Sequence, residues 1–457
     1  MIPTIEFEHR SDTGPVMKEN EFSLAFAKKL RQLVAEYEIK CTADHLVIDD
    51  RTADAIYKAG VELLADVGMY NADTQRVVKL SKEEIEQIAK EILEGPRKQT
   101  FGDSDGKIVI QARSAEDPRT PVLAIGPAGV PSTEELYIPY VQSFYQEEWN
   151  QAIQWTCGLD AYKGVKAKAG TPSEIYVGKG EIELLKEVGR RVGKPVTNWL
   201  ILSTTTSVGG VLSCFYPGGL EPHNTQIAIH LLPELKLDWS RLRLAMYCES
   251  RGVIPWTSGF SVIGMLSRGP EDAAVGAMAS LLGQLAYGHG TIGMIGVMPI
   301  NGDLAQRPVL WAATAAARGV ERNIGLPIGG FVQSKAGACT ELAFYEKAAI
   351  VLAEVAFGAA FIWGSGCRNG VGMNVTAGLE GRLSGETALA VTGMSRESSS
   401  ELFNKIMTKI EGKLEQAPPG KTFAECYDIE KVEPTSEYLA VYDKAKSELA
   451  RLGVPYK

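Results

Sequence analysis

The stretch Thr291-Ile292-Gly293-Met294-Ile295-Gly296-Val297-Met298-Pro299-Ile300-Asn301-Gly302 decides the fold. It is an apolar run that ends abruptly in Pro-Ile-Asn-Gly. A helical pattern precedes it at 271–287 and another follows at 307–318. A buried strand flanked by amphipathic helices is one βα unit of a parallel sheet. Working outward, the same unit recurs. The apolar runs are 121–125, 152–157, 196–202, 253–256, 291–298, 326–332 and 359–363, with helical segments at 181–192, 238–251, 271–287, 307–318 and 341–356. Seven strands are visible and eight close a barrel. Segment 107–111 or part of 208–214 is the candidate eighth. The fold class expected is therefore α/β, a TIM (β/α)8 barrel with a helical N-terminal extension and C-terminal helices. An open doubly wound sheet is disfavoured, because no G-x-G-x-x-G follows the first strand.

The flanks read differently. Helical periodicity covers 21–39 and 51–67, and Ser81-Lys82-Glu83-Glu84 is a capping box that opens a third helix. Residues 1–118 are read as the helical extension, 119–398 as the barrel and 399–457 as C-terminal helices packed on it.

Composition narrows the function. The chain has 457 residues, a net charge of −9 and no basic runs, which excludes nucleic acid as the expected partner. No apolar stretch is long enough to span a bilayer. The seven cysteines are scattered, without C-x-x-C or a Cys/His cluster, so neither a disulfide framework nor a metal site is expected, and a cytoplasmic location fits. There is no P-loop and no G-x-S-x-G elbow. His289 precedes a strand and reads as structural; His223 and His230 fall on a presumed helix.

Candidate site residues come from the ends of the expected strands, which share one face of a parallel barrel. Trp199, Trp256, Phe260 and Trp363 are aromatic residues there, and a cage of such rings holds a quaternary ammonium by cation–π attraction. Tryptophan at a strand end is more commonly a packing residue. Lys335 and Arg368 follow the sixth and seventh strands and suit a carboxylate or phosphate.

Several longer stretches carry a resemblance. They are Asp73-Thr74-Gln75-Arg76-Val77-Val78-Lys79, Glu234-Leu235-Lys236-Leu237-Asp238, Gly337-Ala338-Cys339-Thr340-Glu341 and the tail Ala417-Pro418-Pro419-Gly420-Lys421-Thr422-Phe423-Ala424-Glu425-Cys426-Tyr427-Asp428. In these the chain resembles the monomethylamine:corrinoid-protein methyltransferases over most of its length. The resemblance implies a homo-oligomer, by family habit a hexamer. It also implies transfer of a methyl group from a small methylated amine to Co(I) of a corrinoid (cobalamin) carried by a cognate corrinoid protein, with no cofactor bound by this chain itself. The family's pyrrolysine falls on Asn198, which becomes the candidate catalytic position. Acidic neighbours of pyrrolysine map onto Thr257 and onto Ile227 or Ala228, and a glutamine maps onto Gln333. Loss of carboxylates beside Trp199 and Trp256 suits a quaternary amine, whose nitrogen leaves neutral without a general acid. Strict alternation puts Asn198, Leu200 and Leu202 inward and Trp199 outward, so Trp199 joins a cage only if the strand has already ended. The alternative reading is a non-catalytic relative that binds a small amine or a corrinoid protein.

Overall fold

The computed structural model describes residues 1–103, 107–127, 130–150, 158–197, 208–230 and 232–457. The chain opens with helices α1 (Thr4–Thr13), α2 (Glu19–Glu36) and α3 (Asp50–Val67). Asp49 caps α3 by accepting from the Thr52 N–H at 2.7 Å, and Gly68, at φ +74°, ends it. A short antiparallel pair follows, β1 (Met69–Asn71) and β2 (Arg76–Val78). Helix α4 (Lys82–Glu94) begins with the capping box read at Ser81: the Ser81 hydroxyl accepts from the Glu84 N–H, and Glu84 accepts from the Ser81 N–H at 2.9 Å.

Strands β3 (Lys98–Phe101) and β4 (Ile108–Gln111) form an antiparallel hairpin. Segment 107–111 is therefore not a barrel strand. Instead Phe101, Ile108 and Ile110 are buried in one cluster with Ile292, Ala360 and Phe361, which stand at the starts of barrel strands. The hairpin stoppers the N-terminal end of the barrel.

Next come β5 (Val122–Ala124), α5 (Glu134–Tyr145), the small hairpin β6 (Ala161–Tyr162) and β7 (Val165–Lys166), α6 (Pro172–Val192) and α7 (Val208–Leu212). The other candidate for the eighth strand, 208–214, is thus helical at its start. The expected strand at 152–157 lies outside the described residues, as does 196–202 except for Val196 and Thr197. A strand appears instead where the sequence suggested a helix, β8 (Gln226–His230). Five residues are too few to show a period, and the segment's outer histidine and glutamine hide its apolar centre.

The remaining units alternate as expected: β9 (Lys236–Leu237, paired with β1), α8 (Trp239–Arg251), β10 (Ile254–Ile263), α9 (Pro270–Gly288), β11 (Ile292–Pro299), α10 (Arg307–Asn323), β12 (Ile328–Gln333), α11 (Glu341–Ala356) and β13 (Phe361–Gly366). The described barrel strands run parallel in the order β5-β13-β12-β11-β10-β8. This is a TIM-like α/β fold. Helices α12 (Gly378–Val391), α13 (Arg396–Ile410), α14 (Phe423–Cys426) and α15 (Ser436–Leu452) close the chain.

Helix α9 shows why the N-terminal helices are integral. It is buried from Asp272 to Gly288, lying between β10 and α3. A helix covered all round needs small residues where neighbours cross. Gly60 of α3 is such a point: a Cβ there would sit 2.5 Å from the Met278 side chain on α9.

Candidate functional site

Alternation along the strands sorts their side chains into two faces. On β11, Ile292, Met294, Gly296 and Met298 face the barrel interior, and Ile295 and Val297 face α10. Gly296 is required there because the Phe260 ring, reaching across from β10, would lie 2.3 Å from a Cβ. On β10 the inward set includes Trp256 and Phe260. On β12 it includes Phe331 and Gln333, and on β13 Phe361 and Trp363.

These rings form one aromatic wall. Phe331 and Trp363 lie 4.3 Å apart at 30°. Trp256 meets Trp363 edge-on at 5.3 Å and Phe361 edge-on at 5.8 Å. The Trp363 Nε1–H points at the Met294 sulfur, 3.1 Å away. The wall has two levels. Trp256 is 0 % exposed and belongs to the lower level with the β3–β4 hairpin. Phe260 and Phe331 are half-buried, and Trp363 stands at the level of Phe331.

Two sequence expectations need correction here. Trp256 and Trp363 do not stand at strand ends, because β10 continues to Ile263 and β13 to Gly366. Trp256 is a floor residue, packed beneath the wall. Thr257 points out of the barrel: its hydroxyl donates to the Ile292 carbonyl at 3.1 Å, and its methyl group packs by Gly288 at the end of α9. Asn198 and Trp199 lie outside the described residues.

Phe331 was not foreseen. Its signal was its spacing of two from Gln333, which places both on one face. Gln333 is buried at the last position of β12, with its side-chain oxygen facing Gly370 of the loop after β13.

Among the described residues, no Asp, Glu, Lys or Arg occurs in the six parallel strands. An acid backs the sheet from its outer side. Glu354 of α11 fills the space left by Gly330, where a Cβ would be 2.0 Å from its carboxyl carbon. It borders a cavity of about 50 Å³ between the sheet and helices α10 and α11. Burial drives its pKa well up, against the lowering effect of the Phe331 N–H.

Lys335 and Arg368 face different carboxylates. The Lys335 ammonium faces Asp303 of the β11–α10 loop at 3.9 Å. Arg368 lies in a short turn at φ +55°, with its guanidinium beside Gly372 and within the field of Glu425.

Beneath the Lys335 loop sits a carboxyl that sequence reasoning passed over. Glu346 of α11 accepts the Lys335 N–H at 2.7 Å and the Ala336 N–H at 3.0 Å. Burial raises its pKa from 4.5 to about 7, against the lowering effect of the two N–H groups. The folded state therefore binds the Glu346 proton more tightly than the unfolded chain. Its contribution to stability is greatest below pH 4.5 and declines as pH rises to 7, by at most ~3.5 kcal/mol at about 1.4 kcal/mol per unit. Urea unfolding of wild type and Glu346→Gln across this window is expected to show the decline in the former and a flatter profile in the latter.

Among the described residues no group of three His, Cys, Asp or Glu is arranged to hold a metal ion, and no helix is long and apolar enough to cross a membrane. His289 caps the end of α9, with Nε2 2.7 Å from the Ile2 carbonyl.

Comparison with known proteins gives a consistent result. The family model described as monomethylamine methyltransferase MtmB matches residues 2–454. Monomethylamine methyltransferase MtmB of Methanosarcina mazei is 26% identical over 453 residues, covering 99% of this chain and 98% of that protein. MtmB1 of Methanosarcina acetivorans is 25% identical with the same coverage. The crystal structure of the Methanosarcina barkeri enzyme superposes with a TM-score of 0.93 at 25% identity, over 99% of this chain and 98% of that one. The crystal structure of the hydroxylamine MtmB complex matches equally well.

Proposed function

The chain belongs to the monomethylamine methyltransferase MtmB family, and from that membership we propose that it takes a methyl group from a quaternary methylated amine to Co(I) of a corrinoid held on a separate protein, with asparagine at 198 where the family keeps pyrrolysine. That it is a methyltransferase follows from the family; the substrate class is our reading. One observation carries it: the described barrel wall is aromatic, with Phe260, Phe331 and Trp363 on its upper level, and none of the described parallel strands carries a charged residue.

The chemistry fits that wall. The carbon–nitrogen bond breaks with its electron pair staying on nitrogen, and the new carbon–cobalt bond takes its pair from Co(I), which becomes Co(III). A quaternary nitrogen departs as a neutral tertiary amine and needs no proton. The site's tasks are then to hold a diffuse cation and to orient one methyl group. Ring faces supply the first, at ~0.5–2 kcal/mol each. Gln333 at the rim offers a neutral hydrogen-bonding group for the rest of the substrate.

A screen of methylamines and betaines against reduced corrinoid protein, followed by methyl-Co(III) absorbance, tests the reading. Turnover of a quaternary amine is expected; turnover confined to monomethylamine, or to no amine, would sink it. Phe260→Leu and Phe331→Leu are each expected to raise KM for the quaternary substrate about tenfold, the loss of one cation–π contact. Inhibition by a neutral tert-butyl isostere should be little changed.

On the same reading the protein is cytoplasmic and assembles as a homo-oligomer, for which the resemblance is the support.

A further inference from the structure

Three loops at the C-terminal end of the barrel present apolar side chains to solvent. Met265 follows β10 and is 52% exposed, Ile300 follows β11 at 72%, and Val371 and Met373 follow β13 at 73% and 37%. Isolated exposed apolar residues need no explanation, but a cluster on one face does. These loops are fastened to one another. The Ile300 N–H donates to the Ile263 carbonyl at 3.0 Å, and the Ile300 side chain packs over Gly264. The Asn369 side-chain amide donates to the Asn301 carbonyl at 3.1 Å, and its N–H to the Ser334 carbonyl at 3.0 Å. The cluster is thus a preformed surface, which lowers the ordering cost of binding.

Charge distinguishes these three segments from the chain as a whole. The chain carries −9 overall, yet segments 264–268, 299–302 and 368–373 contain Arg268 and Arg368 and no carboxylate. The opposite end of the barrel is filled by the β3–β4 hairpin. A co-substrate too large to enter must therefore present its reactive atom at this end.

We propose that Met265, Ile300, Val371 and Met373, flanked by Arg268 and Arg368, form the docking surface for the corrinoid protein, which seats an apolar face with an acidic border over the barrel mouth. This rests on the methyl-transfer reading above. Met and Arg are residues that interface centres favour, and a few central anchors carry most of the affinity.

The test uses the full-length protein and a cognate corrinoid protein loaded with hydroxocobalamin. Ile300→Asp and the pair Met265→Asp/Val371→Asp are expected to weaken binding, measured by interferometry, at least about tenfold. Methyl transfer to free cob(I)alamin should be unchanged. Leu24→Asp, equally exposed on α2, should leave binding as in wild type. Wild-type affinity in the mouth variants would overturn the proposal. So would a smaller sedimentation coefficient in those variants alone, which would make the face a self-interface. Failure of wild type to methylate either acceptor would instead count against the methyl-transfer reading, while the binding comparison still decides this one.

Discussion

Trp256→Ala is expected to cost about 3–5 kcal/mol of stability, the range for emptying a buried indole site, and to leave KM for substrate within about twofold in the protein that remains folded. The indole is fully buried, and two aromatic rings meet it edge-on. It also supports the hairpin residues Phe101, Ile108 and Ile110 from above. Removing it leaves a cavity that strands on several sides cannot collapse to fill, because the parallel ladder fixes their spacing. Denaturant unfolding gives the stability term, and steady-state kinetics below the transition gives KM. A raised KM with unaltered stability would place Trp256 in the substrate site.

Gly337→Ala is expected to destabilise by about 3 kcal/mol, the upper end for overpacking, and to release the tail. Gly337 lies where the β12–α11 loop meets residues 418–421. Its N–H donates to the Pro418 carbonyl at 2.9 Å, and the Lys421 N–H donates to the Ala338 carbonyl at 2.9 Å. A Cβ on Gly337 would sit 1.7 Å from the Pro419 carbonyl oxygen. Both partners are backbone, so no side chain can swing away, and the loop and tail must separate. Limited proteolysis should then cut near 415–421, where wild type resists. Gly412→Ala, with nothing within 4 Å of the new Cβ, is the control and should remain resistant.

The alternation of apolar runs and helices was legible because buried parallel strands and their covering helices impose it. Strand ends were not. The expected strand 253–256 stops before Thr257-Ser258-Gly259, yet these residues are the middle of β10. Those residues are small because α9 crosses there: a Cβ on Gly259 would lie 2.2 Å from the Ala277 carbonyl oxygen. Smallness demanded by close helix packing is indistinguishable in sequence from smallness demanded by a turn. The same confusion shortened β13, where Gly364 adopts φ +77° inside the strand. For the candidate site, the aromatic character of the interior could be read, but not its levels. Trp256 and Trp363 look alike in sequence, and only the depth of the hairpin separates floor from wall. Lys335 and Arg368 shared a loop layer, but a long flexible side chain goes to its nearest acid, and Asp303 was not visible as that partner.

The hairpin at the base of the barrel has a consequence for the sequence of events in turnover. With that end stoppered, the amine and the cobalt centre on the proposed reading approach through one doorway. The amine must go in first, since a seated corrinoid protein covers the threshold behind it. The dealkylated amine must wait until that protein has left. Each turnover then becomes a queue with a fixed order, and the residence time of the partner, rather than the strength of amine binding, sets how soon the next amine can enter.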